Sequence, residues 1–179
     1  MIEFRFNIRK ATEAASRFVE LSGGSIGVVR LMKLLYLAER QSLASRGHPI
    51  IGDRYVSMKH GPVVSRVYDL CKKEPKGKAE HRAVWLKHLR SDGRDIELVV
   101  PAPVAALSRA DLDTIDAEFK KWRDWDTWDL VDHLHEILPE WKDPNGSANP
   151  IGLPTLFKVL DLTSKEVRSV TDQANLSKS

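Results

Sequence analysis

The sequence predicts a mainly α (α+β) protein: a single-domain helical bundle with a small antiparallel β-sheet built on a hairpin. Apolar residues recur at helical spacing from Asn7 to Gly23 and from Ile26 to Arg46. Two period-two runs, "VWLKHL" and "DIELVV", flank "RSDGR", whose Asp92-Gly93 is a strong hairpin signal. Capping and terminating residues punctuate the rest of the chain at helix-length intervals.

The 179 residues are 42% hydrophobic and 30% charged, which suits a soluble globular domain able to bury a real core. No apolar run approaches the roughly 18 residues that cross a bilayer, and the N-terminus lacks the apolar stretch of a signal peptide. Cys71 is the only cysteine, so no internal disulfide is possible and a reducing cytoplasm is expected.

Along the chain, Asn7 is the expected N-cap of a first helix that buries Ile8, Ala11, Ala15 and Phe18. A second helix, from about Ile26 to Arg46, stops at Gly47. Its stripe of Val28, Leu31, Leu35 and Ala38 is widened by Met32, Leu34 and Tyr36, which marks a central helix. "DRYVSM" reads as a short strand, and Pro62 suits the first turn of a third helix carrying Val63, Val67 and Leu70. The hairpin follows. Ser108 with Asp111 forms a capping box, Thr127 caps the next helix, and Pro139 ends it near Leu138. Beyond the loop "KDPNGSANPIGLP", Thr163 and Glu166 open a last helix, with fraying expected over "ANLSKS". Residues 1–150 are expected to form the main domain and 151–179 a C-terminal helical tail.

Catalytic and metal chemistry find little support. His133 and His135 are two apart on a helix and point about 200° from one another, a poor chelate. A structural zinc wants four ligands, and with His60 and a lone Cys71 the set is short. Cys71 lies late in the third helix, where a thiol is usually inert packing. Asp53 and His60 form an acid–base pair only if the loop folds back, and nothing supplies a third member. No catalytic residue, metal or cofactor is expected.

Charge is unevenly placed. Lys59–Arg94 holds ten basic against four acidic residues, and Ser108–Asp143 eleven acidic against five basic. The first segment suits nucleic acid, the second a basic partner, and either suits a pair of solvated faces. Trp122, Trp125 and Trp128 fall at i, i+3 and i+6, one aromatic ridge if a single helix runs through them. Core packing is the expected fate of at least two. Tryptophan is also the commonest anchor of binding hot spots, and here it sits among Asp124, Asp126 and Asp129.

The stretch Leu31–Leu70 resembles the signature of the Panacea domain family, the SocA-like, phage-associated antitoxins. The matching positions are Lys33, Leu34, Leu35, Tyr36 and Ala38, then Gly52, Asp53, Tyr55, Gly61, Pro62, Val63 and Tyr68. Ser57 departs from the alanine common there. "LVDHLHEILPEWKD", with His135, Pro139 and Trp141, resembles the family's closing helix. The resemblance implies an antitoxin that neutralises a toxin encoded by an adjacent gene, through direct protein contact without catalysis. The runner-up is a nucleic-acid binder or autoregulator using the basic 59–94 region. On the first reading "MKHGPVV" is a rigid corner: Gly61 permits an unusual backbone angle, Pro62 fixes the next, and His60 ties the turn to a neighbouring carboxylate or carbonyl. Asp53, Tyr55, Met58, His60, Gly61 and Pro62 are thus scaffold first and partner contacts second.

Overall fold

Asn7 opens the first helix as its sequence suggests. Its Oδ1 accepts the Lys10 N–H at 3.0 Å, and α1 (Ile8–Leu21) follows. The computed structural model describes residues 2–176. After the turn at Gly23-Gly24 the chain forms a short strand, β1 (Ser25–Gly27), so α2 begins at Val28 rather than Ile26 and runs to Arg46. Ile26 is drawn into β1 because it pairs with Ile96. Gly47 stops α2 in the left-handed region, its N–H returning to the Leu43 carbonyl.

Helix α2 is the centre of the molecule. Leu31, Met32, Leu34, Leu35, Tyr36, Leu37 and Ala38 are all buried, so its apolar face extends most of the way round. It packs against α1, against β3 (Gly61–Val64) and against α5 (Arg109–Trp122).

The fold is mainly helical α+β, and its strands form two small antiparallel sheets rather than one. In the first, β2 (Tyr55–Met58) lies between β3 and β6 (Asn149–Ile151). In the second, β5 (Asp95–Leu98) lies between β1 and β4 (Leu89–Ser91), with Asp92-Gly93 at the hairpin turn. Strand β6 comes from the Pro/Gly-rich loop, and Pro150 is tolerated there because β6 is an edge.

Three local expectations need correction. Pro62 does not start a helix. It sits in β3 opposite Ser57, on an edge strand where its missing N–H breaks no ladder, and α3 begins at Ser65 (Ser65–Leu70). "VWLKHL" is not a strand throughout, because α4 (Ala79–Leu86) runs through its first half and β4 starts only at Leu89. Ala79, Glu80, Arg82 and Ala83 are good helix formers, and they carry the helix to the fully buried Trp85. Asp126, not Thr127, caps α6 (Thr127–Ile137), its carboxylate accepting the N–H groups of Trp128 and Asp129.

The Ser108–Asp111 capping box is complete, and Leu138 ends α6 just before Pro139. Helix α7 (Leu153–Val159) sends Leu153, Leu156 and Phe157 into the common core. Helix α8 (Ser164–Leu176) opens on the Thr163–Glu166 pair and buries Val170 and Ala174. The remainder of the expected fraying falls on 177–179, outside the described residues. No helix among the described residues is long and apolar enough to cross a membrane.

Asp111 joins three helices. Fully buried, its carboxylate accepts from Lys10 of α1 at 2.8 Å, from Arg46 of α2 at 2.7 Å and from the Ser108 N–H. Burial alone would raise its pKa, but Lys10, the Ser108 N–H and Arg46 together outweigh burial and bring it to about 2. A carboxylate held below its unfolded value stabilises the fold above pH ~4 and loses that contribution as pH falls towards 2. Asp111→Asn should therefore cost about 2 kcal/mol near pH 7, by the linkage of about 1.4 kcal/mol per pKa unit. The gap to the wild type should narrow between pH 4 and pH 2. Urea unfolding at several pH values measures it, and a gap independent of pH would refute the charge argument.

Candidate protein-binding site

The segment after α2 is wrapped around a buried carboxylate. Glu39 accepts the N–H groups of Ile50 and Ile51 at 2.7 Å each, that of Gly52 at 3.2 Å, and the Tyr55 hydroxyl at 2.8 Å. Burial pushes its pKa up to about 7 against the pull of those bonds. Gly52 has φ +71, and a Cβ there would lie 2.6 Å from the Arg5 carbonyl oxygen, so only glycine fits. Asp53, also buried, accepts the N–H groups of Arg54, Arg66 and Val67, which fixes the start of α3 against the entry to β2. Burial raises its pKa to about 6, again against those hydrogen bonds.

The β2–β3 turn is anchored by α2. Lys33 is buried, and its Nζ donates to the Pro62 carbonyl at 2.7 Å. Burial lowers the Lys33 pKa to about 7. Gly61 sits directly over this ammonium with φ +100, and a Cβ on it would lie 3.1 Å from Lys33 Nζ. Pro62 thus supplies a buried carbonyl acceptor for Lys33 as well as a conformational lock.

Helix α6 and the residues after it close on the same turn. Trp141 Nε1 donates to the Met58 carbonyl at 2.9 Å, and its ring stacks on His135 with centroids 3.8 Å apart. Glu140, buried, accepts from the Tyr36 hydroxyl and from Arg40. Among the described residues, His60 does not tie the turn to a carboxylate or carbonyl as expected. Its exposed ring packs edge-on against Trp128 at 5.0 Å. Beside it opens a cavity of about 100 Å³ lined by Met32, Met58, His60 and Tyr68.

The three tryptophans do not form one ridge. Helix α5 ends at Trp122 and α6 begins at Thr127, so the ridge is broken. Trp122 is buried and donates to Glu118, whereas Trp125 is 38% and Trp128 52% exposed. One of the three is core, not two. Arg30, from the first turn of α2, holds the break by donating to the carbonyls of Trp122, Arg123 and Trp125. Asp124, Asp126 and Asp129 are exposed around Trp125 and Trp128. The result is a surface of two large indoles and the His60 ring within an acidic rim.

Other sequence candidates are kept apart. Asp53 and His60 stand at opposite ends of β2. His133 packs on Trp125 while His135 stacks on Trp141, so the two imidazoles serve different rings. Cys71 is fully buried, and burial raises its thiol pKa. Among the described residues, no three His, Cys, Asp or Glu side chains are grouped to hold a metal. Glu39, Glu140 and Arg30 were not foreseen as organising residues. A charged residue on the otherwise apolar face of α2 was the available signal for Glu39; Arg30 and Glu140 had none, since each acts on a partner more than 90 residues away.

Fold and site together define a small, mainly helical α+β protein built on a hydrogen-bonded corner, with an aromatic, acid-rimmed surface beside it. The chain belongs to the antitoxin SocA-like family, the Panacea domain, whose model matches residues 31–142. That span takes in α2 from Leu31 onward, the corner, and α6 with the residues through Trp141. No curated protein and no solved structure matches the chain.

Proposed function

We propose that this protein is the antitoxin of a toxin–antitoxin pair, working in the cytoplasm and neutralising a toxin encoded by an adjacent gene through direct, non-catalytic binding. Membership of the antitoxin SocA-like family supports the class. The contact of His60 with Trp128 supports the surface, because it joins the family's turn to the exposed, acid-rimmed tryptophans of the 122–129 segment. Exposed indoles are expensive to leave in water and are the usual anchors of protein interfaces. Their acidic surroundings fit a basic partner, such as a toxin whose active site handles RNA or nucleotides.

Co-expression with the neighbouring gene product, read by growth rescue and pull-down, tests the class. Absence of rescue with every neighbour would sink it. The surface is tested by association kinetics. Asp126 caps α6 and must keep that ability, so the suitable variant is Asp124→Lys, Asp126→Asn, Asp129→Lys. Its on-rate for the toxin should fall roughly ten-fold at low salt, with the difference shrinking as salt rises. Lys73→Glu with Lys76→Glu is the matched control. A larger effect in the control places the interface on the basic side.

A further inference from the structure

On another face, the N-terminal segment, α1, α3 and α4 enclose a groove of about 730 Å³. Arg5, Arg9, Arg66 and Lys78 line it against one carboxylate, Glu80. Among the described residues, Arg9, Arg66 and Lys78 take part in no ion pair. Half-buried Phe6 forms part of the wall, its ring 5.3 Å from His81 and 5.5 Å from the Arg66 guanidinium. Where the groove continues beside Leu70 it is lined by Lys76 and by Asp69, whose carboxylate is paired with Lys72.

We propose that this groove binds single-stranded nucleic acid, independently of the surface proposed for the toxin. Arg9, Arg66 and Lys78, crowded into one concavity, repel one another, and a polyanion relieves that repulsion while releasing counterions. Three of the four lining cations are arginines, whose planar forks match phosphate oxygens. An acidic peptide would satisfy the charge alone. Phe6, with the Arg66 guanidinium over its ring and the His81 ring edge-on to it, groups three flat π-systems in one wall, and bases stack on such planes whereas a peptide carboxylate does not. A groove of this volume takes in a short length of extended strand, whereas a duplex would lie across its rim. The cations come from Arg5 and Arg9 and from the 59–94 stretch together, so the N-terminal segment completes a site that the basic stretch alone lacks.

The test is fluorescence anisotropy of the full chain with a labelled oligothymidylate of about 12 nucleotides, within the usual range for one such site. Binding should weaken with salt at a log–log slope of about −2, the value for some three neutralised phosphates on a single strand. Arg9→Glu with Lys78→Glu should weaken binding at least ten-fold at low salt and reduce the slope. An acidic residue in the first turn of α1 favours the helix, so this variant should keep its melting temperature. Phe6→Leu should weaken binding several-fold without changing the slope. The His81 ring resonances should shift on titration with the oligonucleotide. No binding, equal binding by polyglutamate of matched charge, tighter binding of the same-length duplex, or an equal loss in an Arg90→Glu control outside the groove would each overturn the proposal.

Discussion

Glu39→Ala is expected to destabilise the protein by about 3–6 kcal/mol. The substitution strands the N–H groups of Ile50, Ile51 and Gly52 and the Tyr55 hydroxyl in the interior. Each buried donor left without an acceptor costs about 1–3 kcal/mol, and partial entry of water recovers some of the sum. Against a total stability of about 5–15 kcal/mol for a domain, that loss is large. Glu39→Gln keeps one acceptor oxygen and should fall between the alanine variant and the wild type. Urea denaturation of the three proteins measures the series. An alanine variant within about 1 kcal/mol of the wild type would show that Glu39 does not organise the corner.

Gly61→Val should cost about 2–4 kcal/mol and harm folding before binding. A residue with φ +100 is strained once it carries a side chain, by about 1–3 kcal/mol, and a β-branched one most of all. The added carbon also crowds Lys33 Nζ, which is held in place by the Pro62 carbonyl. Thermal melting and toxin binding should therefore decline together. A variant with the wild-type melting temperature and no binding would make the turn a contact surface instead of a scaffold.

Much of the fold was legible because local signals and tertiary contacts agreed. Asn7, Gly47, Ser108 with Asp111, and Thr163 with Glu166 bound their helices through contacts within a few residues, which sequence reading handles well. The breadth of the apolar face on α2 correctly marked the central helix. What failed depended on distant partners. Pro62 has the local chemistry of a helix start, yet pairing with β2 makes it a strand residue. Strand β6 has no period of its own and exists because β2 offers it an edge. The break between Trp122 and Trp128 was legible from the helix start expected at Thr127, but Arg30, which braces it, is remote in sequence. At the candidate site, Gly61 and Pro62 were recognisable as a corner and Gly52 and Asp53 as motif positions, but the meeting of His60 with Trp128 was not, since 68 positions of sequence separate them.

Arg30 has a further consequence. By donating to three carbonyls of the α5–α6 junction from the first turn of the central helix α2, it fixes the backbone that carries Trp125 and Trp128. The conformational entropy of that junction is lost once, during folding, and not again on each encounter with a partner. On the proposed function, a pre-set aromatic corner would meet its partner without refolding, which leaves any adaptation on contact to the partner's surface.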